Sequence, residues 1–192
     1  LLPPQRSACS LVATFVPVEA SASPLVTITR KIRPSMLEFM DAVAINAVED
    51  KLRMGLDRSA AAMMVAASDD RGPAGADDAE FMARVFTEAG ATECFSTSDA
   101  AEGEAFVAAR RFAIPAVEAK GSLLLEDVGV PLPALAELVG GVAKIAAEAL
   151  CAAGCPGAEV SVCRGPATAV EAAIDQRGRR YGELPEAFSY RT

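Results

Sequence analysis

The ten residues "SAAAMMVAAS" (59–68) limit the fold more than any other stretch of this chain. They are apolar almost throughout and run straight into "DDRGPAGADD", a polar loop bearing glycine and proline. A run so short and so sharply bounded reads as a strand at the centre of a sheet rather than as a helix. The rest of the chain must then supply that strand's neighbours and their cover.

Candidates for both are present. "SACSLVATFVP" (7–17) alternates as a strand does, with Leu11, Ala13 and Phe15 on one side. In "VEASASPLVTITR", Pro24 permits helix only after itself or in a first turn. "PSMLEFMD" (34–41) reads as a strand entering a helix, with Asp41 as N-cap and Val43, Ala47, Val48 and Leu52 at helical spacing. Residues 77–90 form a predicted helix with acids in its first turn and Gly90 as its stop. Residues 91–99 alternate like an exposed strand, and 100–115 predict a helix halted by Pro115. A strand over 121–131 leads to an amphipathic helix over 132–154, striped by Leu135, Leu138, Val142 and Ile145. Inside it, Gly140-Gly141 marks either a close contact or a weak point. The expected class is α+β: an antiparallel sheet with helices packed on one face, built from ferredoxin-like β-α-β repeats.

A chain of 192 residues is long enough to bury one sizeable core. Its net charge of −8 argues against nucleic acid and against an anionic membrane surface. No apolar run reaches the roughly 18 residues needed to cross a bilayer. The opening "LLPPQRS" has neither an initiating Met nor the pattern of a secretory signal, so the chain is expected to be part of something longer. Five cysteines at irregular spacing suit a reducing cytoplasm better than a disulfide framework. There is no histidine, which removes the commonest general base and the commonest metal ligand, and no metal site is expected.

The charges of interest lie in "EAFVAARRFAIPAVEAKGSLLLEDVGVPLPALAELV" (104–139). Arg110 sits four residues from Phe106, on the shoulder of an apolar stripe, where its stem can be buried and its head aimed into a cleft. It is either a structural partner of Glu126 or Asp127, or an anchor for an anionic ligand. Arg111 points elsewhere and takes the structural reading, an ion pair rather than an anchor. Lys120 precedes the strand and is either solvated or a second positive charge for such a ligand. Glu126 and Asp127 point to opposite faces of a strand, so they do not form an acid–base pair, though one of them can orient Arg110.

Three segments carry a resemblance: "RSACSLVATF", "PSMLEFMDAVAINAVE" and the stretch beginning "EGEAFVAARRFAIP". In order and spacing they resemble the C-terminal substrate (cap) domain of FAD-linked oxidases of the D-lactate dehydrogenase and glycolate oxidase subunit type, in the vanillyl-alcohol oxidase superfamily. The telling steps are Leu37–Asp41, Ala108–Arg110 and Glu126–Pro131. The resemblance implies a flavoprotein oxidoreductase acting on a small 2-hydroxy acid. FAD would be bound by an N-terminal flavin domain absent here, with none expected on this chain alone. It also implies that Arg110 helps hold the substrate carboxylate. The family's histidine-bearing motif is missing, so no catalytic residue is assigned and the chain alone is expected to be inactive. Residues 1–150 are thus expected to be a partial cap domain, and 151–192 a divergent tail, read out of frame or disordered. The competing expectation is a non-catalytic ferredoxin-like module that binds a small acid or a protein partner.

Overall fold

A computed structural model describes residues 9–16, 18–21, 23–70, 72–128, 130–131, 134–152, 158–164 and 169–175. Seven strands form one sheet: β1 (Cys9–Phe15), β2 (Met36–Asp41), β3 (Ala62–Ser68), β4 (Glu93–Thr97), β5 (Ser122–Val128), β6 (Ala158–Arg164) and β7 (Ala169–Asp175). Their spatial order is β4-β1-β3-β2-β6-β7-β5, and all the pairings are antiparallel. The α+β class and the antiparallel sheet are as expected. The strand read from "SAAAMMVAAS" is indeed internal, hydrogen-bonded to β1 on one side and β2 on the other.

Helices cover both faces of the sheet, where one was expected. Every residue of β3 is buried, so each face of its pleat needs a lid. One face presents Leu11, Ala13, Phe15, Leu37, Phe39, Met64 and Ala66 to α1 (Ser23–Lys31), α3 (Pro73–Glu88) and α6 (Leu135–Ala152). The other presents Met40, Met63 and Val65 to α2 (Ala42–Leu52), α4 (Ala100–Arg111) and α5 (Ala113–Glu118). Below, these are the α3 face and the α4 face.

Local chemistry explains where elements begin and end. Asp41 caps α2 as expected, its carboxylate accepting the Ala44 N–H at 2.9 Å. Helix α3 starts at Pro73, four residues before the expected Asp77, because proline at a first helical position needs no N–H partner and arrives with helical φ. The expected first-turn acids therefore fall later in the helix. Pro115 ends the helix as expected, because it has no N–H for the Arg111 carbonyl four residues back, which is where α4 stops. The chain breaks at Phe112, and Pro115 sits in the first turn of α5, where its missing N–H costs nothing. On α6 the buried stripe runs through Leu135, Val139 and Val142, while Ile145 is 43% exposed. Among the described residues, nothing lies within 4 Å of where a Cβ at Gly140 or Gly141 would sit.

No helix among the described residues is long and apolar enough to cross a membrane. The expectation of a divergent or disordered end lies, for residues 176–192, outside the described residues.

Candidate functional site

Strand β2 alternates Leu37 and Phe39 toward the α3 face with Met36, Glu38 and Met40 toward the α4 face. All but its two end residues are buried. Glu38 thus places a carboxylate among apolar neighbours: it lies opposite Val65, which lies opposite Val12. An ionised carboxylate there needs a charged or hydrogen-bonded partner, since losing water without one costs several kcal/mol. One such partner is Arg110, whose Nε donates to Glu38 Oε2.

Helix α4 delivers that arginine. Asp99 caps its start, accepting the N–H groups of Ala101 and Glu102 at 2.8 and 3.0 Å. Gly103 lets the helix settle on β1, because a Cβ there would meet the buried Ser10 Oγ at 3.0 Å. Phe106 then stacks edge-on against Phe95 of β4, ring centroids 5.9 Å apart. One turn further, Arg110 reaches from α4 to β2. Its side chain is 39% exposed, against 6% for that of Glu38. Among the described residues, no other acceptor takes a hydrogen bond from its terminal nitrogens.

The expected supports of Arg110, Glu126 and Asp127, are not what the structure pairs with it. Both lie on β5, which the strand order puts at the far edge of the sheet, three strands beyond β2. At the usual strand spacing that is about 14 Å measured along the sheet. Their side chains lie outside the described residues. Glu38 was the residue missed. Its signal was legible: an acid at an inward-facing position of "MLEFM", with apolar residues on either side.

Lys120 does not stand beside Arg110 as a free charge. Its Nζ donates to Asp50 Oδ2 at 3.0 Å, and Arg58 grips the other oxygen of that carboxylate at 2.7 Å. Hydrogen bonds from Lys120 first, and then Arg58, hold the Asp50 carboxyl below the usual carboxylate range. Lys51 donates to the Pro115 carbonyl at 2.8 Å, so two lysines tie the end of α2 to α5 and to the turn that follows it. Arg111 pairs with Glu104 at 2.6 Å on the exposed side of α4, a surface role like the one expected of it.

Among the described residues no three histidine, cysteine or acidic side chains gather as a metal would require. Cys9 and Cys94 are free thiols, and burial raises the pKa of Cys94, which disfavours the nucleophilic thiolate. What the arrangement can do is bind an anion, through a partly exposed guanidinium fixed at one nitrogen.

Residues 4–164 match the family described as FAD linked oxidases, C-terminal domain. The match runs past residue 150 and takes in β6. Over 150 residues the chain is 29% identical to the glycolate oxidase subunit GlcD of Bacillus subtilis (strain 168), covering 77% of this chain and 32% of GlcD. Two crystal forms of an alkyldihydroxyacetonephosphate synthase share its fold, with TM-scores of 0.59 and 0.62 at 12% and 13% identity. They cover 91% of this chain but only 37% and 36% of the synthase chains. The chain therefore spans about a third of the length of the relatives it matches.

FAD belongs to the full-length members of such a family, and the described residues of this chain do not fit it. The glycine-bearing turn from β3 into α3 is the nearest thing to a phosphate cradle, with Gly72 at φ 63°. Asp69 and Asp70 precede it and Asp77 and Asp78 follow, a set of carboxylates that repels a pyrophosphate. The fold is shared with the synthase and the family match covers most of the chain, helix α4 with Arg110 included, so the chain belongs to the family of FAD linked oxidases, C-terminal domain.

Proposed function

We propose that this chain supplies the acid-binding part of an FAD-dependent oxidoreductase that acts on a small 2-hydroxy acid of the glycolate or D-lactate type. Arg110 holds the substrate carboxylate, and the flavin is carried by an N-terminal domain outside these residues. The observation that carries the reading is the state of Arg110: partly exposed, fixed at Nε, with no described acceptor on its terminal nitrogens. A planar carboxylate matches a guanidinium with two parallel charge-assisted hydrogen bonds, which an ammonium does not reproduce. The kinship with the glycolate oxidase subunit supports the substrate class. The free thiols Cys9 and Cys94 support a reducing compartment, and with it the cytoplasm.

Titration of the purified chain with glycolate and D-lactate tests the reading, with neutral lactamide as control. Both acids bind and lactamide does not. Arg110→Lys, which keeps the charge and loses the fork, weakens both acids by about tenfold, the effect of one charge-assisted hydrogen bond. Unchanged binding in Arg110→Lys overturns the role given to Arg110. The chain alone, mixed with FAD and either acid, reduces no dye. If a polypeptide joining it to its flavin domain also turned over neither acid, the non-catalytic binding module would be the better reading.

A further inference from the structure

A guanidinium is flat, and its five N–H groups leave in fixed directions within one plane. Holding one of them in place therefore aims the rest. In this protein the held group is Nε–H, and the holder is Glu38. That carboxylate is itself hard to move. It is buried at 6% side-chain exposure on a strand hydrogen-bonded to β3 on one side and β6 on the other, with Met36 and Met40 flanking it on the same face. Arg110, by contrast, is a long side chain from the last turn of α4, and without a fixed partner it samples many rotamers. The other cations around α2, α4 and α5 that bond to protein groups, Lys51, Arg58, Arg111 and Lys120, are engaged elsewhere.

We propose that Glu38 is a positioning residue: by holding Arg110 at Nε it presents the two terminal nitrogens, end on, to a single ligand carboxylate. This rests on the proposed function, which makes Arg110 the anchor. Glu38 need not touch the acid. Its contribution is to take up, before binding, the entropy that an unrestrained arginine would lose on binding.

The test is side-chain 15N NMR of the full chain with Arg110 assigned, titrated with glycolate. In the wild type, glycolate shifts the terminal N–H signals and leaves Nε–H in place, still bonded to Glu38. In Glu38→Gln the Nε–H signal moves toward that of a free arginine before any ligand is added, and glycolate binds about tenfold more weakly. Should Glu38→Gln fail to fold, Glu38→Asp is read in its place. It keeps the charge and withdraws it by one methylene, and it too must weaken glycolate at least about fivefold if aim, rather than charge, is what Glu38 provides. Glycolate binding within twofold of wild type in the folded Glu38 variant overturns the positioning role and leaves Arg110 as anchor. A wild-type chain whose terminal N–H signals do not respond to glycolate overturns the anchor, and the positioning role falls with it.

Discussion

The two faces of this sheet are built from alternate residues of the same strands, yet they are held together differently. On the α3 face the cluster is hydrocarbon and sulfur: Phe15 and Phe86 meet edge-to-face at 6.1 Å, with Leu11, Phe39, Met64 and Met82 fully or almost fully buried around them. The α4 face buries Met40, Met63 and Val65 beside an ion pair, and polar side chains secure its helices. Asp41 caps α2, Asp99 caps α4, and Lys51 and Lys120 tie α2 to α5 and to the turn that follows it, whereas α3 begins at Gly72 with no side-chain cap. Burial of apolar area and the fixing of a charge are thus divided between the two faces of one sheet. One face removes apolar area from water. The other gives up part of that gain to keep a charge in a defined place.

The sharpest way to break the comparison is to damage each face in kind. Phe86→Ala on the α3 face removes a fully buried ring and leaves a cavity, at a cost of about 3–5 kcal/mol. Chemical denaturation should show it as a large fall in midpoint with little change in slope. Arg110→Met on the α4 face costs less, about 2 kcal/mol, because it removes a charged partner of the buried Glu38 carboxylate but the arginine was itself more than a third exposed. The double replacement of Glu38 and Arg110 by Met should recover most of that loss, since two apolar groups leave nothing unpaired. A double variant no more stable than Arg110→Met would mean that the pair is integral to the packing of this face and not a concession to binding.

A smaller probe separates helix placement from charge. Gly103→Ala adds helix propensity but brings a methyl to 3.0 Å from Ser10 Oγ on a buried strand. The clash wins, and the variant is less stable by about 1 kcal/mol. Ser10→Ala in the same chain should relieve it, as thermal melts of the single and double variants would show.

The same division explains what was legible in the sequence. The strand "AMMVAAS" announced itself by composition, and the Asp41 cap by spacing, because both are local statements about the chain. That β3 is buried on both faces was written in the same residues, and it demanded helices on two sides. The reading with helices on one side followed from the β-α-β rhythm, which says nothing about the side to which each helix returns. Arg110 was legible as a charge that needed company. Glu38 was legible as a buried acid but not as its partner, because only the tertiary fold, which lays α4 on β1, β3 and β4, brings β2 within reach of the arginine and leaves β5 at the far edge. An acid buried within an apolar strand is a debt that only the tertiary fold can settle, and Glu38 lies 72 residues from the arginine that settles it.

The smallest expected effect lies where α2 ends. Arg53 closes that helix in the left-handed region, φ 52°, and its N–H bonds the Glu49 carbonyl at 3.0 Å. The Glu49 carboxylate then accepts the N–H groups of Met54 and Leu56, both at 2.9 Å. The Leu56 N–H above all holds the Glu49 carboxyl below the ordinary glutamate value of 4.5. A carboxyl depressed in the folded state contributes stability that is fully present above its unfolded value and is lost as pH falls through the folded one. Amide exchange should therefore show protection at Met54 and Leu56 fading as pH is lowered from about 5 toward about 3, while the β3 amides stay protected. Glu49→Gln should flatten the pH dependence of those two amides without touching β3. If β3 loosens together with Met54 and Leu56, the α2 end is part of the global unfolding unit, and the polar fastenings of the α4 face are not the separable layer described above.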